Sequence, residues 1–442
     1  MGLSMTRARA DGLILVSLGA LVFLLLGCFL EASTTKSFND FKASYYSSKC
    51  LIQHCDPYDQ ANLTRFYHAE EGDRSSDSPI YRTIATSNVY LPTSLTFMVP
   101  LALLHYGPAH VGWMALIAGS FLLASLLMWD LGAAYSPVVA GCLVGFLLAN
   151  SELLLFSGNP AGIAVSLAII AAWCFVRERY VYAGMLCLVI SLAFKPHDAA
   201  LIWLFFLLAG GTYRKRALQT LALFLVFAVP TVLWVTHLSP HWVQEVSANL
   251  LPLSERGAMN DPGPSSAGGH GLGMITDLQT VISMFRDDPR IYNPVSYLIC
   301  APILLIWMFV TFRKRPSASR AWFGLAAISA LTMLPIYHRQ YDAELILLSV
   351  PACLLAWSRG GRVGKFALAI NVLAFVVIGD IPWTILLALV QRIPAANGST
   401  AARLMVMVQV LPVPLTLLAL GIFYLWLYAR WRPELADAAE PA

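Results

Sequence analysis

Three short stretches set titratable side chains into otherwise apolar sequence. "FNDFKASYYSSKCLIQHCDPYD" (38–59) carries Asp40, with Tyr45 and Tyr46 a helical turn and more beyond it. "SLAFKPHDAALIW" (191–203) carries Lys195, His197 and Asp198, and "IYHRQYDAELILL" (336–348) carries His338, Arg339, Asp342 and Glu344. A carboxylate at a membrane surface can act as general base toward a hydroxyl, and Lys and Arg pair with phosphate oxygens. One carboxylate suffices where the leaving group is a phosphate, whereas hydrolysing a plain glycosidic bond calls for two. Each stretch also has a plainer account. Asp40 can be a helix cap or a solvated loop acid, Arg339 can pair locally with Asp342 or Glu344, and His197 and Asp198 can merely shape the turn that Pro196 marks. In "FSGNP" (156–160), Ser157 and Asn159 suit the cap of the following helix.

Eight cysteines are present. Cys50 and Cys55 share one hydrophilic loop, where a disulfide fits an oxidising exterior. A metal pair with His54 is the alternative, but no second ligand pair follows at zinc-site spacing, so nothing in the sequence requires a metal or other cofactor. Cys28, Cys142, Cys174, Cys187, Cys300 and Cys353 lie in apolar runs, where a small buried thiol is the ordinary expectation. "GPSSAGGHGLGM" (263–274) is glycine-rich but matches neither a P-loop nor a dinucleotide fingerprint, and is expected to be a flexible loop or lid. Asn62-Leu-Thr64 and Asn397-Gly-Ser399 match the N-glycosylation pattern.

The elements that must position these groups follow from composition. Of 442 residues, 58% are hydrophobic and 12% charged, and the mean hydropathy is +0.67. Soluble domains carry about 25% charged residues, so an all-α polytopic membrane protein is expected. Apolar runs at 12–30, 109–129, 217–236 and 404–428 are long enough to cross about 30 Å of hydrocarbon. The N-terminal stretch resembles a signal peptide, but its long apolar core without a clean cleavage site suits an uncleaved first span. No basic stripe or recognition motif points to nucleic acid.

Basic turns give the orientation. Arg7 and Arg9, "RER" (177–179), "YRKR" (213–216), "RKRPSASR" (313–320), "SRGGRVGK" (358–365) and "RWR" (430–432) should all face the cytoplasm. They do so only if "VYLPTSLTFMVPLALL" (89–104), interrupted by Pro92 and Pro100, lies in the outer interface without crossing. About 12 spans then result, with both termini cytoplasmic. The external face collects the loops 33–108 and 237–292, "KPHD" at 195–198 and "YHRQYD" at 337–342. Lys195 thus stands opposite the anchoring charges, where an ionisable group is a site candidate by default. One membrane domain over 1–430 and a short cytoplasmic tail over 431–442 complete the organisation, with 380–403 ambiguous because "GDIPW" splits an apolar run.

In this order of motifs the chain resembles the GT-C membrane glycosyltransferases, most closely glycosyltransferase family 87, the polyprenyl-phosphate-mannose-dependent type. The resemblance covers roughly residues 12–357. It runs through the first span, "DFKASYY", "DPYD", "NVYLPTSLTFMVPLALL", "SGNP", "AGMLCLVISLAFKP" and "YHRQYD". "SGNP" departs from the more usual Gly-Gln form, and loop 237–292 does not align. The resemblance implies a GT-C-like bundle whose first external loop carries juxtamembrane helices. It implies Asp40 as catalytic base, His338 near the reaction centre and Lys195 near the donor phosphate. With these motifs the candidate substrate-binding set is Tyr45, Tyr58, Asn88, Tyr90, Asn159, Lys195, His197, Arg339 and Asp342. The implied activity is transfer of a hexose, of the mannose type, with inversion from a polyprenyl-phosphate sugar to a lipid or glycan hydroxyl. The implied location is a bacterial inner membrane with the site facing the periplasm. A transporter or flippase of lipid-linked saccharide, or a polymerase, is the alternative. Transporters usually place ionisable groups near the midplane and show repeated halves, neither of which is evident.

Overall fold

A computed structural model describes residues 2–33, 37–71, 79–264, 275–314, 317–393 and 399–431. The glycine-rich stretch 265–274, the Asn397 sequon and the tail 432–442 lie outside the described residues. The chain is all-helical, and among the described residues the one departure is an isolated antiparallel bridge between Ile275 and Arg339. Helices are what such a sequence must form, because backbone polar groups in hydrocarbon find partners only within their own segment.

Among the described residues, eight helices are long and apolar enough to cross a membrane. Thr6–Ala32, Tyr106–Ala133 and Gly211–Leu238 match the apolar runs of the sequence. The fourth run, 404–428, is two helices, Thr400–Val410 and Pro412–Arg430, because Pro412 lacks the N–H that would continue the first. Five further apolar helices are shorter: Ala161–Val176, Val181–Phe194, Pro196–Ala209, Asp380–Val390 and Thr400–Val410. Gln340–Ser358 runs through the middle of the bundle, with 89% of its apolar window buried, whereas Gly211–Leu238 lies at the rim with 17%. Rim residues such as Leu25, Phe29, Leu298 and Leu305 are exposed, as lipid-facing side chains are. Cys28 and Cys142 share that outer surface, contrary to the buried placement expected of them; Cys174, Cys300 and Cys353 are buried. The first helix packs backbone to backbone on Pro137–Leu148. A Cβ at Gly19 would stand 2.1 Å from the Gly145 carbonyl oxygen, and one at Gly141 2.5 Å from that of Gly12. Small residues at such crossings permit close helix association in lipid.

The basic turns meet at one end of the bundle. Arg9 pairs with Asp130, Arg216 reaches the Phe175 carbonyl and Glu178, and Arg320 and Lys314 reach the carbonyls of Tyr428 and Ala429. At the other end lies the segment 89–104, folded as helix Pro92–Ala102. Eleven residues rise only about 17 Å, too little to cross. Pro100 sits inside this helix and does not end it. The helix packs on Asn39–Ile52, where Ser48 Oγ donates to the Leu95 carbonyl at 2.9 Å. Cys50 and Cys55 form a disulfide, with Cα atoms 5.0 Å apart.

Candidate functional site

A cavity of about 890 Å³ opens between these surface helices and the ends of the bundle helices. Asp40, Tyr90, Asn159, Lys195, His197 and Arg339 line it, drawn from five separate stretches of the chain. Tyr337 and Tyr341 complete its polar wall, and Ile84, Leu91, Phe194, Val246 and Leu250 make an apolar one. The size and the mixture of apolar lining with a few convergent polar groups are those of a small-molecule site.

Asp40 stands in the first turn of Asn39–Ile52, where a carboxylate is favoured by the helix dipole. Phe38, just before it, adopts a left-handed conformation (φ 62°), and its N–H donates to the Phe156 carbonyl at 2.9 Å. That turn fits against Gly158, itself left-handed, where a Cβ would lie 2.9 Å from the Phe38 ring. The contact brings Asn159 alongside. Its amide donates to Asp40 Oδ2 at 2.9 Å and to the Tyr341 hydroxyl at 3.0 Å, while its Oδ1 accepts the Ala161 N–H at 2.9 Å. Asn159 therefore caps the following helix and orients Asp40 with the same side chain. Burial pushes the Asp40 carboxyl above the ordinary carboxylate range, although the Asn159 amide and the charges of Arg339 and Lys195 pull it down. Tyr90 is held well above the usual phenol range, chiefly by burial and then by Asp40, and stays neutral.

Lys195 lies in the break between Val181–Phe194 and Pro196–Ala209. Its Nζ meets Asp342 Oδ1 at 2.7 Å and sits 4.8 Å from the centre of the Tyr341 ring. Asp342 also accepts the Arg339 backbone N–H at 2.8 Å. The local pairing that the sequence suggested for Asp342 is thus taken by a lysine 147 residues away. Glu344 turns into the bundle, toward Ser151, Glu152 and Asp380. The Arg339 guanidinium donates to the Met259 carbonyl at 2.8 Å, to Asn260 Oδ1 at 3.1 Å and to the Tyr337 hydroxyl. The loop 237–292 therefore contributes directly to the site. Its helix Trp242–Ser254 buries no residue and is tied down by Asn249, which donates to the carbonyls of Tyr58 and Asn88 at 3.0 Å each.

Several candidates lie behind the wall instead of on it. Tyr45 donates to the Leu104 carbonyl and Tyr58 to that of Tyr90, each at 2.8 Å, and both rings are fully packed. Asn88 bridges the Pro57 carbonyl and the Tyr90 N–H. These three brace the surface helices; their polar ends are drawn inward by backbone groups that would otherwise be left unpaired. Asp342 is buried beneath Lys195. His338, expected near the reaction centre, has a fully buried ring that does not reach the cavity. Its Nδ1 faces the Ile336 carbonyl at 2.9 Å, and its Nε2 stands 3.2 Å from Asp198 Oδ1. Burial disfavours its charge, but Asp198 outweighs that and holds the ring above its ordinary value. His197, expected in the substrate-binding set, does line the cavity, and His338 lies behind it.

Tyr337, Tyr341 and Asn260 are site residues that the sequence reading passed over. The tyrosines flank Arg339 in "YHRQYD", and only the 3₁₀ conformation of Gln340–Leu348 brings Tyr341 onto Lys195. Chemically, the site offers a carboxylate whose proton affinity is raised by burial, near a lysine and an arginine, beside an apolar wall. It can take a proton from a hydroxyl while cations hold an anion. Family models, curated proteins and solved structures were all compared with the chain, and none of them matches it.

Proposed function

We propose that the chain is an integral-membrane glycosyltransferase that moves a hexose, of the mannose type, from a polyprenyl-phosphate donor to a lipid or glycan hydroxyl. The observation that carries this reading is that one cavity gathers Asp40, Lys195 and Arg339, at the end of the bundle opposite the basic turns. The acceptor O–H gives its proton to Asp40 and its oxygen attacks the anomeric carbon. The bond from that carbon to the phosphate oxygen breaks, and polyprenyl phosphate leaves with the electron pair, so the anomeric configuration inverts. Lys195 and Arg339 neutralise the departing phosphate. Asn159 points Asp40 at the acceptor, and Ile84, Leu91, Phe194 and Leu250 suit the first units of a prenyl chain.

On this reading the bundle is GT-C-like. The helices of 14 to 16 residues that run between the two ends cross together with the eight long ones, for about 12 spans with a hairpin at 380–410. The basic end faces the cytoplasm and the cavity faces the exterior, as in a bacterial inner membrane. The exposed helix Trp242–Ser254, with Val243 and Leu251 outward and Leu250 on the cavity, rests in the lipid interface above the cavity. A flippase of the same lipid is the second reading, favoured by nothing specific in the cavity. The test is Asp40→Asn in purified protein. The variant should melt like the wild type and still bind polyprenyl phosphate, while sugar transfer falls about 10²–10⁴-fold. Undiminished transfer would remove Asp40 from the chemistry.

A further inference from the structure

Behind the cavity wall, His197, Asp198 and His338 bring two imidazoles and a carboxylate together from two elements. One ligand atom from each lies within 4.8 Å of the others. Asp198 is 1% exposed, and the groups at its Oδ1 are the two imidazoles, His338 Nε2 at 3.2 Å and His197 Nε2 at 3.9 Å. A buried carboxylate in that condition is strongly disfavoured unless a cation compensates it. His338 sharpens the point. A backbone carbonyl only accepts, so the Nδ1 facing Ile336 O at 2.9 Å carries the hydrogen. The ring's Nε2 therefore faces Asp198 Oδ1, 3.2 Å away, a gap that either a proton or a metal ion bridges. A ring whose far nitrogen is fixed by a carbonyl is the usual arrangement of a metal-ligating histidine.

We propose that His197 Nε2, the Asp198 carboxylate and His338 Nε2 bind one divalent first-row transition metal ion. Two imidazoles and one carboxylate are a donor set that Zn²⁺ takes, and three protein ligands leave a further coordination position open. The ion ties the turn that carries Lys195 to the loop that carries Arg339, which sets the spacing of the two cations. His197 is the ligand that also lines the cavity. Binding of the ion stands apart from the glycosyl-transfer reading; its use in spacing the phosphate-holding cations rests on that reading.

The experiment is a titration of the purified full-length chain, stripped by chelator and dialysed, with Zn²⁺ followed by calorimetry and with Co²⁺ followed by visible absorption. One equivalent per chain is expected, with a Zn²⁺-dependent rise in melting temperature. His197→Gln and Asp198→Asn should each weaken Co²⁺ binding about 100-fold or more and abolish that rise. His197 is partly exposed, so its variant keeps the test valid if Asp198→Asn fails to fold. No uptake by the wild type would overturn the proposal. So would binding that both variants leave unchanged, which would be adventitious. No sugar donor is present, so failure here leaves the transfer reading intact, and Asp40→Asn should bind the metal normally.

Discussion

The two ends of this bundle use the same cations in opposite ways. At the basic end, Arg216, Arg320 and Lys314 donate to the carbonyls of Phe175, Tyr428 and Ala429, which lie at helix C-termini. Those carbonyls lack intrahelical partners, and a cation there is favoured by the helix dipole. At the cavity end, Lys195 and Arg339 face Asp342, tyrosine rings and an opening about 890 Å³ in volume. The lesson is that the partner identifies the role. A cation that closes a helix end is an anchor, whereas one held by another side chain on a cavity wall is available to a ligand.

The largest effect that separates the ends should come from neutralising their cations. Under the proposed function, Lys195→Gln or Arg339→Gln should lower sugar transfer about 10²–10³-fold, the loss typical of one donor to developing charge. Arg216→Gln and Arg320→Gln should change it no more than about threefold, since both close helix ends and neither lines the cavity. Transfer assays on vesicles that contain equal amounts of folded protein check both. Equal losses at the two ends would erase the distinction.

A smaller effect sharpens it through pH. As the proposed general base, Asp40 would act only when deprotonated, and burial raises its pKa. kcat/KM should therefore rise with pH along a limb whose midpoint lies above the ordinary value of about 3.9. The Asn159 amide opposes the shift. Asn159→Ala should move the midpoint to higher pH and slow transfer most on the acid side. An unmoved midpoint would mean that the limb belongs to another group.

Fold and site were legible to different degrees. Basic turns and apolar runs carry the helical membrane architecture, because burial in lipid leaves few alternatives. The split at Pro412 was written in the sequence, but an apolar run on both sides masks it. Asp40, Lys195 and Arg339 stood out because charge is rare in such surroundings. The pairing of Lys195 with Asp342 did not, since it joins residues 147 apart and depends on how two helix ends meet. Tyr337, Tyr341 and Asn260 carried no signal either, as tyrosines and amides are common at membrane interfaces. The opposite error occurred at Tyr45, Tyr58 and Asn88, whose polar ends serve backbone carbonyls.

The smallest expected effect concerns the brace and not the chemistry. Replacing Cys50 and Cys55 by serine opens a short loop, with a sequence separation of 5, and should cost about 2 kcal/mol of stability by loop entropy. Thermal melts should show a modest drop, and transfer should persist. Loss of transfer without loss of folding would instead make the braced segment part of the site.

The most direct measurement takes purified protein in sealed vesicles supplied with a polyprenyl-phosphate hexose and a hydroxyl acceptor. Under the proposed function, free polyprenyl phosphate and a new glycoside of inverted configuration should form in equal amounts. Passage of intact donor across the bilayer, with neither product formed, would contradict it.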